Sequence, residues 1–137
     1  MAQAESYQVK AATAQQGVLD SIPVAWRLSS AASYSGDLRA VASQCGLLSQ
    51  QQLIITEATA SDTLELVRSG KWKAADVVEA FCIRAAIAHQ LINCLVEFFP
   101  LEAIAEAKAL DDEHAKSGQT IGPVSYTHLT LPTKRIV

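Results

Sequence analysis

Three side chains with thiol or imidazole donor atoms, Cys82, His89 and Cys94, are the first candidates for chemistry in this sequence. Zinc binds thiolate and imidazole ligands, but a structural zinc site closes with four ligands, and these three residues lack the short Cys-x-x-Cys spacing of such sites. Cys94 also lies beyond the predicted end of the helix that carries the other two. Burial as reduced core side chains is the favoured interpretation, so we predict no metal and no other cofactor.

An acidic run near the last predicted helix is the second candidate site. Its five carboxylates offer the oxygen ligands that divalent cations prefer: Glu102, Glu106, Asp111, Asp112 and Glu113. Charged residues at helical spacing also form ordinary solvated helix surface, and that interpretation is favoured for this face.

Basic residues supply two further candidates. Lys71 and Lys73 flank Trp72 and could bind an anion, although a solvated turn with the tryptophan folded over a helix pair is favoured. Arg84 and His89 share the longest predicted helix and could contact a substrate. Hydrogen bonding at a helix end, or packing, is the favoured role for both.

Helices are the main elements that must position these residues. Apolar spacing and capping residues predict helices at 6–19, 59–69, 74–92 and 100–116, with Gly70, Asn93 and Gly118 at three of their ends. Residues 50–56 fit a short helical turn or an extended entry. Residues 94–99 are β-branched, aromatic and apolar apart from Glu97, which predicts one strand in the centre of a sheet. Because one strand cannot satisfy its own backbone groups, its partners must come from elsewhere.

The expected fold class is therefore mostly α with one strand. The chain divides into an N-terminal helix at 1–21, an irregular connector at 22–48 and a folded region at 49–123. Tyr7, Val9 and Val18 give the first helix only a thin apolar stripe, which fits either docking on its own chain or a homodimer contact.

Composition excludes several classes of partner. Of the 137 residues, 50% are hydrophobic and 18% are charged, as in a globular chain, and the net charge of −3 offers no basic surface for nucleic acid or an anionic membrane. No apolar run approaches the roughly 20 residues of a membrane span. The first residues lack the pattern of a secretory signal, and the three cysteines show no paired spacing, so we expect a cytoplasmic location.

A run of ten residues near the end of the chain matches laboratory DNA in translation. The run Val-Ser-Tyr-Thr-His-Leu-Thr-Leu-Pro-Thr at 124–133 is the in-frame translation of a widely used transposase sequencing adapter. We therefore predict that residues 124–137 are a non-native tail and interpret residues 1–123 as the native sequence. Without Lys134 and Arg135 of that tail, the net charge changes from −3 to −5.

Three segments of the native part carry a family resemblance. They are Ile-Thr-Glu-Ala-Thr at 55–59, Leu-Val-Arg-Ser-Gly-Lys-Trp at 66–72 and the run from Val-Val-Glu-Ala-Phe-Cys to Asn-Cys-Leu at 77–95. Together with the Gly-x-x-x-Gly-Pro run at 118–123, they resemble the N-terminal region of amidase signature enzymes, and are most similar to the acetamidase and general amidase branch. The resemblance covers about residues 22–123.

The resemblance implies the helical N-terminal part of the α/β amidase signature fold, without most of its mixed sheet. It also implies hydrolysis of carboxylic amides by a Ser-Ser-Lys arrangement, in which a lysine acts as base through a bridging serine and a second serine attacks the carbonyl. The position of that lysine falls on Pro132 here, and Ser125 and Lys134 lie in the predicted tail. We therefore expect an inactive N-terminal fragment, with the amide substrate belonging to a longer parent. The alternative is a small helical protein-interaction module without catalysis.

Overall fold

The computed structural model of the chain describes residues 6–29, 34 and 36–118. Regular structure in these residues consists of helices, and their bounds are α1 (Tyr7–Ser21), α2 (Val41–Gln44), α3 (Gln50–Glu57), α4 (Ala60–Arg68), α5 (Ala74–Ile92) and α6 (Pro100–Ser117), with 3₁₀ turns at Val24–Trp26 and Leu38–Ala40. The four predicted helices are confirmed, and residues 50–56 belong to a helix. The predicted tail at 124–137 and the Gly122-Pro123 pair lie outside the described residues.

Helix α5 is the central element, because α6, α3, α2 and the first 3₁₀ turn all pack against it. Its apolar residues occupy more than one face, as expected of a helix with neighbours on several sides. Ala80 and Ala86 of this helix are fully buried. Their small side chains let the neighbouring elements approach closely. The buried side of α5 comprises Ala74, Ala75, Val77, Val78, Ala80, Ile83, Ala86, Ile87 and His89.

Helices α5 and α6 form the principal hairpin of the fold. The N-terminal part of α5 contributes Ala74, Ala75 and Val78, and these residues meet the fully buried Ala107 of α6. Pro100 stands in the first turn of α6, where a missing backbone N–H costs no helical hydrogen bond. The C-terminal half of α5 packs through Ile83 and Ile87 on the residues that precede α3.

The ends of the helices follow the expected capping chemistry. Ser49 and Gln52 form a reciprocal capping box at the start of α3, which explains why residues 50–56 are helical rather than extended. Asn93 and Gly118 end α5 and α6 in the left-handed conformation, with φ of 50° and 65°. Both ends were predicted from the sequence.

The predicted strand at residues 94–99 is wrong. These residues form a non-regular segment between α5 and α6, and Val96 is 84% exposed. A strand requires a partner for its backbone N–H and C=O groups, and the described residues contain no second strand. Composition indicated a strand here, but composition cannot supply the partner.

Helix α1 is exposed along almost its whole length. Of its residues only Val18 is buried, while Tyr7 is 78% exposed. The helix is joined to the rest of the fold at its C-terminal end, where Ile22 is buried and the Arg27 guanidinium donates hydrogen bonds to the carbonyl oxygens of Leu19 and Ile22. Docking on its own chain and a homodimer contact both stay predictions for this helix. None of the helices in the described part of the chain is both long and apolar enough to cross a bilayer.

Candidate functional site

The structure separates the three candidate metal ligands. Cys82 of α5 packs on the apolar cluster between α5 and α6. His89 is buried, and Cys94 is exposed in the segment after α5. In the part of the chain that the structure describes, no three His, Cys, Asp or Glu side chains come together in an arrangement that could hold a metal ion. Packing therefore accounts for Cys82, as the favoured interpretation proposed. For Cys94 the predicted burial is wrong, because this residue lies in the exposed segment after α5.

The Cys82 thiol is poorly suited to act as a nucleophile. Burial, with a smaller contribution from the negative charge of Glu79, raises the pKa of Cys82 to about 11. Because the thiolate is the reactive form, such a thiol is almost entirely protonated near neutral pH.

His89 organises the turn that follows α5. Its Nδ1 accepts a hydrogen bond of 3.1 Å from the backbone N–H of Leu95, so in the neutral ring the proton resides on Nε2. The Nε2 atom is buried and has no hydrogen-bond partner among the described residues. The predicted role of His89, hydrogen bonding at a helix end, is confirmed.

Arg84 joins α5 to α3. Its Nη1 donates a hydrogen bond of 2.7 Å to Thr56 Oγ1 and lies 3.7 Å from Glu57 Oε1. The ion pair is partly exposed, and pairs of this kind contribute only about 0–1 kcal/mol, so the hydrogen bond to Thr56 gives the contact its geometry. The side chain thus connects two helices, in agreement with the favoured packing role.

Asp111 corrects the prediction of a uniformly solvated acidic face. Its Oδ1 accepts a hydrogen bond of 2.7 Å from the N–H of Ala74, and its Oδ2 accepts one of 3.0 Å from the N–H of Ala75. The first turn of α5 needs such an acceptor because Lys73, its N-cap residue, makes no side-chain capping bond. A carboxylate at a helix N-terminus also interacts favourably with the helix dipole.

The remaining members of the acidic face behave as predicted and are exposed: Glu102, Glu106, Asp112 and Glu113. The sequence contained one signal for the different role of Asp111. A basic residue stands where an N-cap acceptor would normally precede α5, which indicates that the acceptor must come from another element.

Gln90 makes a contact between distant segments that the sequence does not predict. Its Oε1 accepts a hydrogen bond of 2.8 Å from the N–H of Leu28, and its Nε2 donates to the carbonyl oxygens of Trp26 and Ala86, both at 3.0 Å. This amide therefore fixes the 22–28 part of the connector on the C-terminal half of α5. A single polar residue on a helix gives no sequence signal for a partner 62 residues away.

Trp72 lies where the sequence predicted. It packs with Val67 on the cluster of Ile55, Val77 and Ala80, while Lys71 and Lys73 on either side are exposed. The turn therefore contributes packing between α3, α4 and α5, and its lysines are solvated.

The lysines of the described residues all lie at the surface of this structure. A lysine acts as a base where burial or a cationic neighbour disfavours its ammonium form, and every lysine in the described ranges is exposed: Lys10, Lys71, Lys73, Lys108 and Lys116. A shallow depression between the start of α3 and α5 brings polar groups together without a lysine; it is lined by Ser49, Gln51, Gln52, Ile55, Asp76 and Glu79.

The chain is similar to known proteins in both sequence and fold. An amidase of Gibberella zeae is 38% identical to the chain over 120 residues, and an acetamidase of Emericella nidulans is 36% identical over 127 residues. The matches cover 87% and 93% of this chain. The solved structure of a fatty acid amide hydrolase superposes on 88% of the chain with a TM-score of 0.74 and 25% identity. No family profile matches the chain.

The superposed helices and the relatives together define the class: the chain belongs to the amidase signature family. Its curated relatives are named amidases and acetamidases, which agrees with the branch that the sequence resemblance indicated. The chain spans only 22% and 23% of the length of the first two relatives, and 22% of the fatty acid amide hydrolase chain.

Proposed function

We propose that this chain is the N-terminal scaffold of an amidase that hydrolyses carboxylic amides to an acid and ammonia, and that the chain alone is inactive. The observation that carries the proposal is the combination of 36–38% identity to an amidase and an acetamidase with a span of only 22–23% of their length. The fold of this segment supports a scaffold, because its polar contacts connect helices to one another.

Amide hydrolysis requires groups that this scaffold does not assemble. A serine nucleophile must be activated by a base, and preorganised donors must stabilise the tetrahedral oxyanion, each donor contributing about 3–4 kcal/mol. In the proposed mechanism a buried lysine is that base and acts through a bridging serine on the nucleophilic serine. Exposed lysines such as Lys71 and Lys73 do not meet the burial requirement. In agreement with the resemblance, which puts the expected lysine at position 132, we assign the catalytic groups of the parent enzyme to sequence other than residues 6–29, 34 and 36–118.

The proposed scaffold acts through α5. Asp111 holds the N-terminal end of this helix against α6, Arg84 holds its middle against α3, and Gln90 holds the connector on its C-terminal half. These three contacts define the positions of α6, α3 and the connector relative to α5, so that one helical unit is presented to the rest of the enzyme.

Ammonia release tests the proposal. The purified chain incubated with acetamide or an aromatic amide is expected to release no ammonia above background, while a full-length acetamidase in the same assay releases it. Turnover by the chain that survives repurification, with unchanged specific activity, contradicts the proposal.

The origin of residues 124–137 has a separate test. Sequencing the source locus and its transcript across codons 118–137 is expected to show native sequence that departs from this chain after Pro123. A genomic reading frame that continues through all fourteen of these codons into a stop codon shows that the tail prediction is wrong.

A further inference from the structure

His89 holds the C-terminal end of α5 at two points. Its carbonyl oxygen accepts a hydrogen bond of 2.7 Å from the N–H of Asn93, and its ring Nδ1 accepts one of 3.1 Å from the N–H of Leu95. The ring contact is the one hydrogen bond that residues 94–98 make among the described residues. The path of the chain from α5 towards α6 therefore depends on an imidazole nitrogen, which can accept a hydrogen bond only while it carries no proton itself.

The surroundings of the ring suit a neutral imidazole and not an imidazolium ion. His89 is 2% exposed. The described residues offer its ring one donor, the N–H of Leu95, and no acceptor, because Nε2 has no hydrogen-bond partner among them. An imidazolium ion carries an N–H on both nitrogens. In the closed turn one of these groups points at the N–H of Leu95 and both lack an acceptor, which makes a buried charge costly.

Charged groups on the surrounding elements do not compensate such a charge. No ion pair among the described residues includes His89. Helix α2 and the first 3₁₀ turn contain no charged residue, and Glu57 of α3 pairs with Arg84. The other titratable groups of this region are exposed or partly buried and do not bond to the ring: Cys82 of α5, Arg27 of the connector, Cys94 and Glu97 of the turn, and Glu102 and Glu106 of α6.

The end of α5 gives an imidazolium ion a different set of partners. The last turn of a helix leaves carbonyl oxygens without intrahelical donors and carries the negative end of the helix dipole, which attracts a cation. A protonated ring that donates to those oxygens or to water no longer accepts from the N–H of Leu95. Charge on His89 therefore favours an open turn.

We propose that His89 is a pH-sensitive latch on the turn between α5 and α6. The neutral ring holds Leu95 at the end of α5, so the turn is closed at high pH. The imidazolium ion releases Leu95 as the pH falls through the range of about 8 to 5 in which histidine changes its charge. Release loosens the connection between the two helices, while their apolar contact at Ala107 remains. The latch belongs to these helices and is independent of the proposed amidase function.

Nuclear magnetic resonance of the full, isotope-labelled chain tests the latch, at a low temperature at which the helices are formed. At about pH 8 the ring of His89 is expected to be neutral, with its proton on Nε2. Between about pH 8 and pH 5 the protection of the Leu95 amide, corrected for the pH dependence of intrinsic exchange, is expected to fall about tenfold, as for the loss of one hydrogen bond. This fall should follow the protonation of the His89 ring, and protection of the Ala107 amide should stay unchanged.

Three variants sharpen the test. His89→Asn keeps an acceptor oxygen near the position of Nδ1 but cannot become charged, so Leu95 is expected to stay protected at both pH values. His89→Ala removes the acceptor and is expected to leave Leu95 unprotected at both. His114→Asn is the matched control, because the carbonyl oxygen of His114 accepts from the N–H of Gly118 in α6 as that of His89 accepts from Asn93 in α5. The ring of His114 bonds to no described residue, so this variant should respond as the wild-type chain does.

Any one of three results overturns the proposal. They are equal protection of Leu95 at both pH values in the wild-type chain, the same loss of protection on acidification in His89→Asn as in the wild type, and a loss at Ala107 as large as that at Leu95, which is general acid unfolding. If His89→Asn does not fold, the wild-type titration and the His114→Asn control decide the matter.

Discussion

Asp111 offers the sharpest test of how this scaffold is held together. Its carboxylate, carried by α6, accepts hydrogen bonds from the first two backbone N–H groups of α5, at 2.7 Å from Ala74 and 3.0 Å from Ala75. The Asp111→Ala substitution removes both acceptors and leaves the two N–H groups without the partner that a side-chain N-cap would otherwise provide. The first turn of α5 should then open more often.

The magnitude follows from the number and type of bonds. Replacing an N-cap acceptor by alanine costs about 0.5–2 kcal/mol, and a hydrogen bond to a charged group contributes about 1.5–3 kcal/mol. Partial exposure of Asp111 and access of water to the freed N–H groups favour the lower end, about 1–2 kcal/mol, which corresponds to a change of about 5- to 30-fold in an opening equilibrium. Asp111→Asn keeps one acceptor oxygen and is expected to have about half the effect in kcal/mol.

Hydrogen–deuterium exchange resolved to single amides, recorded at a low temperature at which the helices are formed, measures this change directly, because exchange of a protected amide reports its local opening. Ala74 and Ala75 are expected to exchange about 5- to 30-fold faster in Asp111→Ala. Asp112→Ala, which alters the exposed neighbour, should leave both rates unchanged. Unchanged rates in Asp111→Ala, or the same acceleration in Asp112→Ala, would refute the reasoning.

Three further predictions concern other parts of the scaffold. Gln90→Ala removes the acceptor of the Leu28 N–H, so exchange of that amide should accelerate about 5- to 10-fold while the amides of α6 are unaffected, and an unchanged Leu28 rate contradicts the contact. With a pKa of about 11, the Cys82 thiol gains thiolate about tenfold for each pH unit between pH 7 and 10, so its alkylation by iodoacetamide should accelerate accordingly; a rate that levels off below pH 9 contradicts the raised pKa. The isolated chain should be helical by circular dichroism yet melt without a cooperative transition, since each exposed large side chain such as Val96 forgoes about 1.5–3 kcal/mol of burial; a sharp two-state melt of the monomer contradicts this.

Local signals in the sequence predicted the helices well. Ala74–Ile92 combines apolar periodicity with a left-handed Asn93 at its end, and both ends of this helix agree with the prediction. Gly118 likewise marks the end of α6. Apolar periodicity and helix-end residues depend only on neighbouring positions in the chain. They can therefore be recognised in the sequence without knowledge of the rest of the fold.

Such local signals could not predict contacts between residues that are far apart in the sequence. The segment at 94–99 has the composition of a strand, but a strand exists only where a second strand pairs with it, and the described residues supply none. Asp111 and Gln90 bond to groups 36 and 62 residues away. Their spacing on α6 and α5 resembles that of ordinary surface residues, and only the packing of the helices brings their partners within reach.

The roles of the candidate site residues were likewise predictable from the sequence only in part. The favoured roles of Arg84, His89 and Trp72 as packing and hydrogen-bonding residues were predictable, because each lies on or beside a helix with a heavily apolar face. Which atom each residue would bond was not predictable from residue type alone.

Ammonia release by a single-chain chimera tests the central claim most directly, because it asks whether this segment works as the scaffold of an amidase. In the chimera, residues 1–123 of this chain replace the residues of the Emericella nidulans acetamidase that align with them, and the acetamidase supplies all of the sequence that follows. No proposed catalytic group is exchanged, so kcat/KM for acetamide should stay within about tenfold of the parent acetamidase. A chimera that folds with the helix content of the parent and releases no ammonia contradicts the claim.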